Sequence, residues 1–481
     1  MSQPNPLGYD PKARVHLGLF YTGVGPQIVW TDPDAAPHTH IDTFVKVVQT
    51  LERGLFDAFF LGEGLRVREN RGRVHALDVA GRPDAITQLS ALAATTTRIG
   101  LVATQNTTYN YPADLARRLA SLDLVSAGRA GWNIVTTDNA WTGENFRHGG
   151  WLAHDRRYER AGQFVEAAEA LWASWDDDAI ASYGDDGSWL RPGSAPGIER
   201  DTDLVRLRAT ATLPRSRQTR PVLFQAGDSP GGRDLAARHA DVVFSANTSY
   251  DKAVAYARDL RTRLAGYGRA PDSLRILPGT SVVLGDTEAQ ARERADWIRR
   301  EQTSGPRAIA FLEQYWGKDL SGYDPDGPLP DIDPTPDELD PSRGTIPIEL
   351  RTGKLAVIAR WRALAEQRKL SIRDLVIEVA PGHDLFVGTP GRIADEWVRY
   401  VRTRAVDGFN IIPQLIPGSV EEIVDKLVPE LQERGAYRTA YEGSTLREHL
   451  DLPPLPTVTP APSGGTRART STPSSTEKGI S

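Results

Sequence analysis

The apolar positions of the chain alternate between two periods. Short β-branched or aromatic runs, bounded by Gly and polar residues, read as buried strands, and each precedes a stretch with apolar residues at helical spacing. Strand 15–20 (VHLGLF) precedes helix 41–53, strand 56–61 precedes helix 84–95, and strand 98–104 precedes helix 113–126. Strand 130–136 is followed by helix 155–175, strand 221–226 by helix 231–239, and strand 241–246 by helix 250–265. Strand 275–284 with helix 287–301, and strand 408–414 with helix 419–434, complete eight units. Alternating strands and helices imply a parallel sheet of the α/β class, and eight units predict closure into a (β/α)8 TIM barrel. An open doubly wound sheet is the competing arrangement that the pattern leaves standing.

Three segments break the rhythm. Residues 177–220 are rich in Asp, Gly, Arg and Thr and read as a long excursion after the fourth helix. Residues 302–390 contain WGKDLSGYDPDGPLPDIDPTPDELDPSRG, whose proline content predicts no core element, before a helical 349–368. Long insertions of this kind in a barrel sit beside the active site, so 302–348 reads as a lid. The Pro/Ser/Thr/Gly-rich tail 453–481 has too little apolar surface to offset chain entropy and is expected to be disordered. The expected organisation is one enlarged barrel domain over 1–452, with insertions at about 177–220 and 302–390.

Composition removes several classes of function. Over 481 residues, 57 Lys and Arg face 63 Asp and Glu, a net charge of −6. No basic excess exists to neutralise nucleic-acid phosphates, so no nucleic-acid partner is expected. The absence of Cys excludes disulfides, Fe–S clusters, thiolate zinc sites and Cys nucleophiles. No apolar run has the length of a signal peptide or a bilayer span, so a cytoplasmic protein without membrane contact is expected. G-x-x-x-x-G-K-[ST] does not occur, which disfavours P-loop chemistry. His38, His40 and Asp42 imitate a metal set, but two His at i, i+2 in a loop read as solvated. The acidic stretch Asp324–Asp340 lacks the ligand order of a calcium loop, so no metal site is predicted.

Candidate chemistry gathers at strand ends. In 222-VLFQAGDSPGGRDLAARHADVVF-244 a strand ends at Ala226, a turn bearing Gly227, Asp228 and Ser229 follows, and a helix starts near Gly231. Such a turn collects backbone N–H groups and a helix dipole where a phosphate is stabilised. An ordinary tight turn with a Ser N-cap has the same pattern. Strand 130–136 ends in Thr136, Thr137, Asp138 and Asn139, and strand 98–104 runs into Thr104, Gln105 and Asn106. Glu63 follows the second strand, while His154 and Tyr158 share a face at the start of the fourth helix.

As a set these residues become familiar. LSALAATTTRIGLVATQNTTYNYPADLARRLASLDLVSAGRAGWNIVTTDNAWTGENF (89–146), HDRRYERAGQFVEAAEALWASW (154–175), the 222–244 segment and DGFNIIPQLIPGSVEEIVDKLVPELQERGAYR (407–438) occur in one order. Together they closely resemble the luciferase-like flavin monooxygenases, in the nitrilotriacetate, dibenzothiophene-sulfone and long-chain-alkane monooxygenase group. The resemblance implies a barrel of the bacterial-luciferase type binding FMN at the carboxyl ends of its strands. It implies a two-component FMNH2-dependent monooxygenase that inserts one oxygen atom from O2 into a small organic substrate through an oxygenated flavin. Reduced FMN would come from a separate NAD(P)H:FMN reductase, and the group's habit implies a homodimer or homotetramer.

Carried over residue by residue, Ala226, Gly227, Asp228 and Ser229 would hold the phosphate and ribityl chain, with Tyr158 adding a hydroxyl. Glu63, Thr137 and Asp138 match flavin contacts, and His154 would hold the flavin edge or its loop. Thr104 and Asn133 match the positions where oxygen approaches, which makes them the catalytic pair, with Thr104 also touching the cofactor. Phe20, Tyr21 and Trp30 would form aromatic walls, with barrel-end packing the other reading for Phe20. Two positions depart from the group: Glu63 stands where Asp is usual, and Asp138 where relatives often carry His or an uncharged residue. The alternatives are an F420-dependent oxidoreductase, a flavin-binding protein of the same fold without catalysis and, from the turn alone, a barrel enzyme acting on a sugar phosphate.

Overall fold

In the computed structural model the described residues are 7–21, 27–67, 69–70, 73–74, 81–137, 140–146, 152–180, 187–335, 353–380 and 385–455. Strands β1 (His16–Tyr21), β2 (Ala58–Leu61), β3 (Gly100–Asn106), β4 (Ala130–Val135), β5 (Val222–Gln225) and β6 (Val242–Val243) pair in chain order, each parallel to the next. The seventh stave is split around Leu277 and Pro278, and proline has no amide hydrogen to give a ladder. β7 (Arg275–Ile276) pairs with β6, and β8 (Gly279–Leu284) continues the stave. β9 (Leu385–Gly388) adds in parallel along β8, and β10 (Gly408–Ile411) joins β8 to β1. That last pairing closes the barrel, so the open doubly wound sheet is not the fold.

Period-2 alternation divides each strand between two cores. Leu17, Leu19 and Tyr21 of β1, with Phe59 and Leu61 of β2, point outward into the layer between sheet and helices. Ala58, Phe60, Val102, Val222, Phe224 and Val242 point inward, where Leu446, Leu450 and Leu452 join them. The amino end of the barrel is therefore plugged by the C-terminal segment. There Arg438 donates to the buried Asp57 carboxylate (2.5 Å), whose same oxygen lies 3.2 Å from His16 Nδ1.

Around the sheet run α1 (Ile41–Arg53), α2 (Ala85–Ala93), α3 (Pro112–Val125), α4 (His154–Trp172), α5 (Pro230–His239) and α6 (Tyr250–Gly266). The periodicity predicts helix 287–301 as the next member of this ring, and the structure differs. α7 (Glu288–Gln302) lies beyond the carboxyl end, where Ala295 and Ile298 pack on Val29, Val283 and Leu415. α8 (Gly305–Trp316), α9 (Lys354–Arg368) and α10 (Ile372–Val379) follow, and α11 (Pro390–Arg402) takes the seventh ring position. Trp397 of α11 stacks on Phe409 of β10 with ring centroids 4.3 Å apart, and Tyr400 meets Tyr250 of α6 at 5.1 Å. The ring ends with α12 (Gly418–Glu422), a π-helical turn Ile423–Leu427 and α13 (Val428–Glu433).

The insertions are more structured than their composition suggests. Within 177–220 an antiparallel hairpin pairs Ile198–Asp201 with Arg206–Ala209. The buried Arg160 guanidinium ties this hairpin to the barrel, donating to the carbonyls of Leu204 (2.6 Å), Thr107 (3.1 Å) and Asn110 (3.2 Å). The proline-rich run that starts at the end of α8, expected to stay out of any core, buries Leu320, which joins Trp316 of α8 in a cluster with Val357, Trp361 and Leu375. No helix among the described residues is long and apolar enough to cross a membrane.

Candidate active site at the carboxyl end of the barrel

Strand register sets Thr104 of β3 directly beside Asn133 of β4. Both are buried, and Asn133 Nδ2 donates to Thr104 Oγ1 at 3.1 Å. Asn133 Oδ1 has no hydrogen-bond partner among the described residues. A buried acceptor left unpaired costs about 1–3 kcal/mol, so its retention asks for a ligand or water at this spot. Below the pair the barrel is filled by rings: Phe20 packs on Phe60 (4.9 Å) and Phe244 (5.4 Å), and Phe60 on Phe224 (5.7 Å). Phe20 is thus interior packing. Tyr21, also expected as a wall, turns outward against Phe44 and Phe59. Trp30 lies over His38 at 4.4 Å, and His38 is buried instead of solvated.

The turn after β5 is tight because two glycines abut. A Cβ at Gly227 would stand 2.9 Å from Gly232 Cα and 3.2 Å from the Tyr158 hydroxyl, and one at Gly232 would stand 2.8 Å from Gly227. Ser229 caps α5, its Oγ accepting from Gly232 N (3.1 Å) while its hydroxyl donates to Tyr158 OH (3.2 Å). Tyr158 of α4, Gly227 and Ser229 therefore converge on the amino end of α5, where first-turn N–H groups and the helix dipole favour an anion. Ala226 is exposed at the mouth. Asp228 belongs to the turn through its backbone. Its carboxylate faces away, accepting from Asn247 Nδ2 at 3.1 and 3.2 Å and from Ala246 N at 3.3 Å. Burial raises that carboxyl above its ordinary range.

Glu63 stands just past β2. Asn106, the last residue of β3, places Nδ2 3.2 and 3.3 Å from its two carboxyl oxygens. Burial pushes the carboxyl up to about 8; Asn106 pulls it down, Asp84 adds to the rise and Arg118 opposes it. Nearby loops are joined across the mouth: Arg66 pairs with Glu144, Asn145 Nδ2 donates to Leu65 O (2.8 Å), and Tyr109 stacks on Phe146 (4.6 Å). Thr137 is half-buried after β4, beside Thr136, whose carbonyl accepts from Arg157 at 2.7 Å. Asp138 lies outside the described residues, as does the side chain of His154.

The structure thus brings Glu63, Thr104 and Asn133 to one part of the mouth and Tyr158, Gly227 and Ser229 to the adjoining part, over consecutive staves 2 to 5. Asn106 has no role in the sequence reading beyond ending a strand, yet its inward parity with Thr104 was the available signal. Among the described residues no group of three His, Asp or Glu is placed to hold a metal ion. A cavity of about 230 Å³ lies elsewhere, outside the barrel wall between α3 and residues 210–221, and none of the strand-end residues lines it.

Comparison with known proteins agrees with this geometry. The family model described as luciferase-like monooxygenase matches residues 27–407. N-acetyl-S-(2-succino)cysteine monooxygenase from Bacillus subtilis is 37% identical over 92% of this chain and 97% of its own length. Component A of the nitrilotriacetate monooxygenase from Aminobacter aminovorans is 37% identical over 90% of this chain and 94% of its own. The crystal structure of DmoA from Hyphomicrobium sulfonivorans superposes with a TM-score of 0.75 at 28% identity, covering 91% of this chain and 92% of that one.

Proposed function

The chain belongs to the luciferase-like monooxygenases, and on that premise we propose that it is the oxygenase half of a two-component system, using reduced FMN and O2 to oxygenate a small organic molecule. The observation that carries this reading is the adjacency of two unlike subsites. The Gly227–Gly232 cradle with Ser229 and Tyr158 is an anion seat, and the Thr104–Asn133 pair beside it has an unpaired buried acceptor. These residues fit FMN: the turn would hold the phosphate, Thr104 and Asn133 would contact the ring, and Glu63 and Thr137 would lie near it. His154 and Asp138 keep their proposed places at the flavin, and Ala226 contributes backbone at the mouth.

Reduced FMN, when bound, supplies the two electrons that let one atom of O2 pass to substrate while the other leaves as water. The chain's own part is placement. The Thr104 hydroxyl would donate a hydrogen bond toward O2, and Asn133 Oδ1, an acceptor, would take one from a donor on the bound cofactor or substrate, with Asn133 Nδ2 fixing Thr104 before the reaction begins. The phenylalanine floor keeps water from entering below, and the joined loops at Arg66–Glu144 and Asn145–Leu65 narrow the mouth above. A separate NAD(P)H:FMN reductase supplies the cofactor, residues 1–452 act as one catalytic unit, and the enzyme works in the cytoplasm as a homodimer or homotetramer. The relatives favour this reading over an F420-dependent oxidoreductase. Anaerobic titration of the apo-protein with reduced FMN and with reduced F420, followed by O2 uptake and peroxide release, tests it. Saturable binding of reduced FMN at micromolar concentration is expected, and its failure would overturn the proposal.

A further inference from the structure

We infer that Asn106 is a positioning residue for Glu63, its amide fixing the carboxyl in one orientation at the carboxyl end of β2. The inference rests on the proposed flavin site only for its consequence, since the geometry is a property of the ligand-free chain. Asn106 is itself held: Oδ1 accepts from Tyr109 N at 2.7 Å, and its backbone carbonyl accepts from Asn110 Nδ2 at 2.8 Å. With Oδ1 so occupied, Nδ2 can only face Glu63, where it lies 3.2 and 3.3 Å from both oxygens. The Glu63 backbone is fixed as well, its carbonyl accepting from Arg82 Nη1 at 3.2 Å.

Asn106 supplies neutral donors only, its side-chain amide shared by both oxygens and its backbone N–H, which orient the carboxyl without a full counter-charge. Among the described residues the other charged groups at Glu63 are Arg82, which holds its backbone carbonyl, Asp84, which caps α2, and Arg118 of α3, and the last two are engaged with each other at 3.5 Å. Asp84 also accepts from Gln105 Nε2 at 3.4 Å. The carboxyl is therefore left to its burial, and near neutral pH it presents mainly the acid form. An acid beside a reduced flavin donates a hydrogen bond; a carboxylate there would repel the ring's negative charge.

Two variants separate orientation from mere packing. Asn106→Asp keeps the acceptor for Tyr109 N but replaces the donor with a second carboxyl. Glu63→Gln combined with Asn106→Asp swaps donor and acceptor and restores one hydrogen-bonded pair. The first readout is the carboxyl infrared band of Glu63 in ligand-free protein, identified by subtraction of Glu63→Gln and followed with pH. One titration near pH 8 is expected for the natural chain, and two well-separated steps of a shared proton for Asn106→Asp. The second readout is the fluorescence titration of FMN. About tenfold weaker binding at pH 7 is expected for Asn106→Asp, with the double variant back within about threefold. An Asn106→Asp protein that titrates and binds as the natural chain does, or a double variant no better than the single one, overturns the inference. Should Asn106→Asp alone not fold, the double variant decides, because the swap restores the pair. Infrared shifts as expected with FMN affinity indifferent to Glu63→Gln would keep the positioning role and remove flavin from this end.

Discussion

Gly227→Ala tests the anion seat most directly. The added methyl would lie 2.9 Å from Gly232 Cα and 2.5 Å from Gln225 Nε2, well inside the 3.5–4.0 Å of a relaxed carbon contact. Gln225 can swing its amide aside, although it would then give up the acceptor that Gly227 N uses at 2.8 Å. Gly232 cannot, being backbone in the first turn of α5. The turn must therefore open by roughly 0.6 Å or more, at a stability cost of about 1–3 kcal/mol typical of overpacking. The same opening withdraws the turn from an anion held by charge-assisted hydrogen bonds worth about 1.5–3 kcal/mol each. Loss of one to two of them predicts FMN binding weaker by about 10- to 10,000-fold. Parallel fluorescence titrations with FMN and riboflavin isolate the effect, because riboflavin lacks the phosphate. The natural chain should prefer FMN strongly, and in Gly227→Ala the two affinities should converge. A folded Gly227→Ala protein with an undiminished FMN-to-riboflavin ratio would refute the assignment of the turn.

Three further outcomes are expected. Ser229→Ala removes the N-cap of α5 and the hydroxyl contact to Tyr158, which should lower stability by about 1 kcal/mol in denaturant unfolding and weaken FMN more than riboflavin. Asn133→Ala should leave FMN binding within a few fold but slow the oxygen-dependent step about 10²-fold, read by stopped-flow mixing of the reduced complex with O2. Unchanged oxygen kinetics would remove Asn133 from the reaction. Acid should destabilise the barrel floor in two windows. Burial holds His449 down at about 4, so the unfolded chain binds the proton first and up to about 3 kcal/mol is lost as pH falls from about 6.5 to 4. Burial alone would raise Asp57, but Arg438 and His16 outweigh it and hold it at about 2, so its contribution persists above pH 4 and fades between 4 and 2. His449→Phe should flatten the first window only, in unfolding curves recorded across pH.

What was legible in the sequence followed from periodicity that each element expresses on its own. All eight staves lie where the apolar runs place them, because a strand buried on both faces must be apolar throughout. The seventh ring helix was misassigned for a physical reason. α7 has the helical spacing, but its few buried residues, Ala291, Ala295 and Ile298, suit a helix lying over the barrel end. The true occupant α11 follows a four-residue strand that no local pattern distinguishes from a loop. Its Thr389 cap and Pro390 at the first turn were the signals present. At the site, motif and turn chemistry located Ser229 and the glycines, whereas the outward turn of Tyr21 and the diversion of the Asp228 carboxylate to Asn247 depend on tertiary contacts.

The same geometry separates the strand-end residues from the inserted helices. The proposed flavin contacts lie on staves 2 to 5, while α7 to α10 enter between β8 and β9 on the opposite side of the chain order. The inserted helices α8 to α10 bury Trp316, Leu320, Trp361 and Leu375 in a core that shares no residue with the barrel's. Among the described residues Arg373 of α10 ties them to α7, donating to Thr303 O (2.7 Å) and Arg300 O (2.9 Å), Arg300 donates to Asp374 (3.2 Å), and Gln302 of α7 bonds the Gln27 carbonyl in the loop after β1. Residues on this module can therefore change in size and charge without straining the Gly227–Gly232 contact or the Thr104–Asn133 pair. A barrel built this way keeps its strand-end geometry fixed while the inserted helices, with a core of their own, are exchanged.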